Sequence, residues 1–457
     1  MDIIAAISTG SAACAIGVVR ISGDGCFALC DRLFRPLYGQ ALSQQPARKM
    51  IYGDVLDTSG DVLDRVLAVR FPGPNSYTGE DSAEFHCHGS PVVLREVLRS
   101  LFELGARQAL PGEFTKRAFL SGQMDLTQAE AVLDLIQART ADAANLAERQ
   151  LAGHLGGKIR EAAGVLPTIL AEIESRMDFP EEDLDWRTPE ELLSVLAQAQ
   201  DALAGLLAGS RAGAVIRNGV RLVIAGAPNV GKSSLLNRIL GYDRAIVTNI
   251  PGTTRDTVEE CAVIRGIQFR LTDTAGVRDD AADPVETFGI ERSRDSLRSA
   301  EIVLWMLDLT KDHSTQLQEM QRMLQDCHGT VVTCWNKADL CPASDRTALN
   351  SDHSAVISTL TGEGVDDLFA LLEKTVRAGA GMTSERESDT VVAQRHEALI
   401  RDAAEQLDGA VPEIPAENWE LAAVRIRAAI RSLGTITGEY AAPDVLDEIF
   451  ARFCIGK

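Results

Sequence analysis

Residues Gly226 to Ser233 read Gly-Ala-Pro-Asn-Val-Gly-Lys-Ser, a complete G-x-x-x-x-G-K-S phosphate loop. The motif dictates its surroundings, because the loop must leave a strand and open a helix for its N–H groups to wrap a polyphosphate. The flanks comply: Arg221-Leu-Val-Ile-Ala225 is a short apolar strand, and Ser234-Leu-Leu-Asn-Arg-Ile-Leu240 has helical period. Part of the chain is therefore expected to be an α/β nucleotide-binding module. Lys232 is expected to reach the outer phosphates and the Ser233 hydroxyl to bind Mg²⁺.

Asn336-Lys337-Ala338-Asp339 follows the apolar run Thr330-Val-Val-Thr-Cys-Trp335 and reads as an N-K-x-D guanine reader. The Asp339 carboxylate can accept from guanine N1–H and its 2-amino group, a donor pair that adenine lacks. That selects GTP over ATP. Ser358, opening Ser-Thr-Leu-Thr-Gly-Glu-Gly364, resembles the S-A-K loop over the base, with departures at Thr359 and Leu360. Leu271-Thr-Asp273-Thr274-Ala275-Gly276 resembles the D-x-x-G switch, with Asp273 on Mg²⁺ through water and the Gly276 N–H sensing the γ-phosphate. Pro251-Gly252-Thr253-Thr254-Arg-Asp256 looks like a first switch, in which Thr254 would complete the Mg²⁺ shell. The expected GTP contacts are Asn229, Val230, Gly231, Lys232, Ser233 and Ser234, then Thr248, Asn249, Ile250, Pro251, Gly252, Thr253 and Thr254, then Asp273, Thr274, Ala275 and Gly276, and finally Asn336, Lys337, Asp339 and Ser358. Val277 stands where Ras-type proteins carry a water-orienting Gln, so another acid must orient water and another cation must offset the developing charge.

At 457 residues the chain has room for two to four cores. Its formal net charge of −21 repels nucleic-acid phosphates overall, so direct RNA binding calls for a local basic patch or a basic partner. Nine cysteines lack C-x-x-C or zinc spacing and read as reduced thiols. Met1-Asp-Ile-Ile-Ala-Ala-Ile7 lacks a basic leader and reads as a first strand. No apolar run is expected to span a membrane, Cys454-Ile-Gly-Lys457 fits a prenylation box poorly, and a cytoplasmic location is expected.

The expected architecture is multidomain. Residues 1–117 read as a compact α+β domain, with strands at Ala15–Ile21 and Val66–Phe71 and a turn at Pro72–Asn75. Residues 118–212 and 378–457 read as two parts of an all-α domain, and 213–377 as an α/β P-loop GTPase inserted between them. Thr127-Gln-Ala-Glu130 and Thr188-Pro-Glu-Glu191 fit capping boxes, with Leu133, Ile136 and Leu146 on a partly apolar face after the first. Residues 178–185 carry five acids in eight and read as a solvated loop. Helices are expected at Val392–Leu407, Trp419–Leu433 and Pro443–Phe453.

Tyr77-Thr-Gly-Glu-Asp81, Phe85-His-Cys-His-Gly89, Pro111-Gly-Glu-Phe-Thr115, Arg117-Ala-Phe-Leu120, Asp125-Leu-Thr-Gln-Ala-Glu-Ala131 and the terminal Phe453-Cys-Ile-Gly-Lys457 resemble the tRNA-modification GTPase family MnmE (TrmE), in that family's order. The resemblance implies an N-terminal tetrahydrofolate-binding and dimerisation domain. It implies GTP-driven addition of carboxymethylaminomethyl or aminomethyl groups at C5 of the tRNA wobble uridine, U34. The implied company is a homodimer, the FAD-carrying flavoprotein MnmG (GidA), tRNA as substrate, and 5,10-methylenetetrahydrofolate or 5-formyltetrahydrofolate as one-carbon donor. It also implies that GTPase domains pair across K⁺ during hydrolysis.

Carried over, Asn229, Thr248, Ile250 and Thr253 match the K⁺ shell, and Glu286 matches the water-orienting acid. Glu286, Asn229 and Lys232 form the implied catalytic set. Arg20, Glu80 and Lys457 match folate contacts; Gln123 stands where the family often has Lys, and Leu110 replaces a common Arg. Cys454 is open between a nucleophile near the one-carbon donor and a packing residue. His86 and His88 share a strand face and read as structural or substrate-contacting rather than as metal ligands. The competing reading is a ribosome-assembly GTPase switch that binds rRNA. Such relatives usually add a basic RNA-binding domain, whereas the added segments here are acidic and carry the folate-type signature.

Overall fold

The structure, a computed structural model, describes residues 2–10, 12–179, 185–242, 260–273, 296–325, 327–342, 346, 349–381 and 392–457. Two compact units divide the chain: Met1–Leu133 with Gln150–Leu203 and Leu399–Lys457, and Asp134–Arg149 with Ala204–Ala398.

The first unit contains a seven-stranded sheet of β1 (Ile4–Ile7), β2 (Ile16–Ser22), β3 (Phe34–Pro36), β4 (Ile51–Leu56), β5 (Val62–Phe71), β6 (Ser82–His88) and β7 (Arg107–Gln108), in the order β3-β4-β5-β6-β2-β1-β7. Pairing is antiparallel except for β1 with β7. Alternation sets the faces: Val19 and Ile21 of β2 are buried while Val18 and Arg20 are part-exposed. The helix Pro91–Glu103 covers the buried face with Leu94, Val97 and Leu101, spaced for one side of a helix, and takes Pro in its first turn. The expected strands are present, β5 starting four residues earlier than its apolar run suggested.

The helices of this unit correct one boundary. The box at the start of Leu126–Gln137 is built on Asp125, not Thr127: the Gln128 N–H donates to Asp125 Oδ1 (3.0 Å), and the Asp125 N–H donates to Gln128 Oε1 (2.9 Å). Thr127 lies inside the helix, fully buried. The second box stands as expected, with the Thr188 N–H donating to Glu191 Oε2 (2.7 Å) and the Glu191 N–H to Thr188 Oγ1 (3.3 Å). The last three helices are Gln394–Ala410, Trp419–Thr437 and Pro443–Ala451. Of the acidic stretch, residues 180–184 lie outside the described residues.

After Pro443–Ala451 the terminal segment lies on the N-terminal sheet domain. Ile455 bridges Pro111, and the Phe114 N–H donates to the Lys457 carbonyl (3.2 Å). Gly456 has φ +96°, and a Cβ there would meet Ile7 O at 2.2 Å, so only glycine permits this approach. Phe453 is buried with Leu126, Leu446 and Phe450.

The second unit holds β8 (Val220–Gly226), β9 (Glu260–Ile264), β10 (Ile267–Asp273), β11 (Ile302–Asp308), β12 (Thr330–Asn336) and β13 (Ser354–Val356), in the order β13-β12-β11-β8-β10-β9. All pairs are parallel except β9 with β10. β11 reads IVLWMLD and is buried throughout, as a strand covered on both faces must be. Leu235, Ile239, Leu368 and Leu372 pack on one face of the sheet, Leu297, Leu317 and Met320 on the other.

The expectation that no run would reach membrane-spanning length needs correction. The helical stretch Pro189–Asn218, with mean hydropathy 1.3 over an 18-residue window, is long and apolar enough by length and composition. Its buried positions Leu192, Leu196, Ala199, Leu203 and Leu206 fall on a single stripe, the pattern of a helix packed on one side only.

Candidate nucleotide site

β8 delivers the phosphate loop and the helix Lys232–Tyr242 leaves it. Asn229 sits at φ +59°, a left-handed turn that Asn tolerates. Gly231, at φ +105°, passes so near Asn336 that a Cβ would meet its Nδ2 at 2.2 Å. Lys232 Nζ donates to Gly226 O (3.0 Å) and Ala227 O (2.9 Å), which points the ammonium into the loop it would share with phosphate oxygens. Ser233 and Ser234, in the first turn of the helix, are exposed. Asp273 ends β10, in register with Ile224 of β8, at the carboxyl edge where open α/β sheets bind ligands. Thr248, Asn249, Ile250, Pro251, Gly252, Thr253, Thr254, Thr274, Ala275, Gly276 and Glu286 lie outside the described residues.

The base-reading side is built from the end of β12 and the loop after β13. Asn336 Nδ2 donates to Val230 O (2.7 Å) and to Thr359 Oγ1 (3.1 Å), while its Oδ1 accepts from the Thr359 N–H (2.9 Å). One side chain thus ties the phosphate loop to the 358–362 loop. Ser358, fully buried, donates its hydroxyl to Asp339 Oδ1 (2.5 Å) and leaves the other carboxylate oxygen for a second donor.

Lys337, at φ +70°, donates from Nζ to Asp308 Oδ2 (2.6 Å). Burial pushes the Asp308 carboxyl up, but the Lys337 ammonium and the Thr310 hydroxyl and N–H outweigh it and hold the group below its ordinary range. Asp308 therefore stays charged and fixes the Lys337 stem beside the reader. Sequence reasoning missed Asp308, although its place as the one carboxylate closing the apolar run Ile302–Asp308 was a usable signal.

The residues marked for folate lie in the first unit and in one region. Arg20 donates from Nε to Glu84 (2.9 Å) and stacks over Tyr77 and Phe114, at 5.3 and 5.7 Å from the ring centroids. Glu80 accepts from Ser22 Oγ (3.0 Å) and Arg117 Nη1 (3.0 Å). Gln123 is exposed beside Gly79, and Lys457 is held through its carbonyl by Phe114. Cys454 is exposed, and its carbonyl accepts from the Gly112 N–H (3.5 Å). His86 contacts Glu84 (3.1 Å) and His88 contacts Asp64 (2.7 Å); among the described residues no cluster of three ligands could hold a metal.

A mostly parallel sheet carrying a phosphate loop, with a guanine-type reader stitched to it, defines a GTPase of the phosphate-loop class. Residues 3–123 match the family model for the GTP-binding protein TrmE N-terminus, and residues 126–454 match that for the MnmE helical domain. The tRNA modification GTPases MnmE of Symbiobacterium thermophilum and Geotalea uraniireducens are 42% and 41% identical to this chain, each alignment covering 100% of this chain and 99% of the relative. The chain belongs to the MnmE family of tRNA modification GTPases.

Proposed function

We propose that this chain uses GTP cleavage to drive addition of a carboxymethylaminomethyl or aminomethyl group at C5 of U34 in tRNA, together with the FAD flavoprotein MnmG and a tetrahydrofolate one-carbon donor. Full-length identity to MnmE relatives supports the tRNA role. The reading rests chiefly on the seating of the terminal segment against Pro111 and Phe114, which brings Lys457 beside the ring that Arg20 covers. Here residues 1–117 are the folate-binding and dimerising domain, 213–377 the GTPase domain, and 118–212 with 378–457 the helical domain. The protein acts as a cytoplasmic homodimer.

The donor set fits a magnesium nucleotide: a glycine cradle at Gly231, an ammonium aimed into the loop, and exposed hydroxyls at the helix N-terminus. Lys232 and the loop N–H groups hold the phosphates. Ser233, with Thr254, holds Mg²⁺, which when bound supplies charge neutralisation between phosphate oxygens. Asp339 and Asn336 orient the guanine. Asn229, Thr248, Ile250 and Thr253 hold K⁺, and Glu286 orients the attacking water in the place left by Val277. Arg20 and Lys457 offer cations to folate carboxylates, Glu80 offers an acceptor to the pterin amide edge, and Gln123 offers a neutral amide where the family often has Lys. Cys454, exposed at this region, stands as a candidate nucleophile.

Calorimetric titration of the full-length protein with 5-formyltetrahydrofolate tests the folate assignment. Saturable binding is expected, weakened about tenfold or more by Arg20→Ala, the size of one lost charge-assisted contact. No saturable binding would contradict it.

A further inference from the structure

Arg238 lies on the helix Lys232–Tyr242, the element that leaves the phosphate loop. Its Nε–H donates to Thr359 O (3.1 Å) and its Nη2 to Leu360 O (3.0 Å). Both carbonyls belong to the loop that carries the base-side contacts: Thr359 bonds both ends of the Asn336 amide, and Ser358 bonds Asp339. Hydrophobic burial does not hold the tip of this loop, since Leu360 is 79% exposed. Gly362 packs on the same guanidinium, where a Cβ would come within 2.9 Å of Nη1. The planar fork reaches two consecutive carbonyls at once, which an ammonium on a flexible stem cannot do in the same way.

We propose that Arg238 is a positioning residue for base recognition. From the phosphate-loop helix it holds the 358–362 loop, and through that loop it sets the angle at which Asp339 and Asn336 meet the base. This inference rests on the reading of Asp339 as the guanine acceptor. Arg238 touches no reacting atom. Its effect falls on how long the nucleotide stays and on how strictly guanine is preferred to hypoxanthine, which lacks the 2-amino donor.

The test uses full-length protein and four variants: Arg238→Ala, Arg238→Lys, Thr359→Ala and Asp339→Asn. Release of fluorescent mant-GDP is followed on chase with unlabelled GDP, alongside competition by IDP, KM and kcat for GTP, and melting temperature. Arg238→Ala is expected to release mant-GDP about tenfold faster, because both charge-assisted hydrogen bonds to the loop are lost and reach the nucleotide only through that loop. Its KM should rise more than its kcat falls, and the preference for GDP over IDP should shrink. Arg238→Lys should lie between Arg238→Ala and wild type, and Thr359→Ala should move the same way. Release within twofold of wild type, in an Arg238→Ala protein that melts like wild type while Asp339→Asn loses GDP, overturns the proposal. So does equal loss of GDP and IDP affinity, the mark of a merely structural arginine. Should Arg238→Ala melt early, Arg238→Lys carries the test, and wild-type release in it overturns the proposal. Wild-type GDP binding by Asp339→Asn overturns instead the guanine reading beneath it.

Discussion

Gly231→Ala is expected to lower GTP affinity about a hundredfold while the protein stays folded, summing backbone strain of about 1–3 kcal/mol with about 1 kcal/mol for a broken hydrogen bond. Two features converge on this one atom. The backbone is at φ +105°, which an L side chain rarely adopts, and the new Cβ would meet Asn336 Nδ2 at 2.2 Å. That amide cannot swing aside freely, because it bonds Val230 O and Thr359 Oγ1. Without nucleotide the loop can relax into another shape. The cost then appears when GTP requires the original one, so affinity should fall far more than melting temperature. Calorimetry with a non-hydrolysable GTP analogue, beside thermal melting, checks this. Affinity within threefold of wild type would show that the loop accommodates a Cβ and that Asn336 is not locked.

Arg117→Leu is expected to cost about 3–5 kcal/mol of stability in the first unit, the usual penalty for removing one partner from a buried ion network. Arg117 is 5% exposed and donates to Glu113 Oε1 (2.9 Å), Glu80 Oε2 (3.0 Å) and Asp2 Oδ1 (2.8 Å). Glu113 also accepts from Arg107 and from the Leu110 N–H (2.8 Å). Burial pushes Glu113 up, but Arg107, the Leu110 N–H and Arg117 outweigh it and hold its carboxyl below the ordinary value. A depressed folded-state pKa stabilises the protein fully above the unfolded value of about 4.3 and is lost as pH falls through the folded pKa. The gap between wild type and Arg117→Leu should therefore hold from neutral pH down to about 4.3 and shrink as pH falls below it through the depressed folded value. Urea titrations at about pH 7 and about pH 3, either side of the window in which Glu113 takes up its proton, measure it. An equal gap at both would mean that Arg117 acts by packing rather than by charge.

The phosphate loop and the reader were legible because each is a local run whose chemistry needs fixed spacing. The link between them was not, since Asn336 meets Val230 and Thr359 across more than twenty residues of chain. Arg238 lies in Ser234–Leu240, a run read only for its helical period, and only the fold brings it to Thr359. The Asp125 cap shows the same limit. Asp125-x-x-Gln128 and Thr127-x-x-Glu130 both satisfy the capping pattern. Tertiary packing decided between them by burying Thr127, whose carbonyl accepts from Gln150 Nε2 (3.1 Å). At Trp419–Thr437 the apolar pattern weakened after Leu433, yet the helix continues to Gly438, where φ +99° ends it. In the sheet of the N-terminal domain, β1, β2, β5 and β6 were legible as strands, whereas β3, β4 and β7 were not. Nor was the strand order, because β1 lies between β2 and β7 through pairings that no local pattern encodes.

Phosphate release by the purified full-length protein, supplied with GTP or ATP in potassium or sodium buffer, tests the central claim most directly. GTP should be cleaved, faster in potassium than in sodium, and ATP left intact, because Asp339 finds its donor pair only on guanine. Equal release from ATP, or none from GTP in potassium by correctly folded protein, would contradict the account.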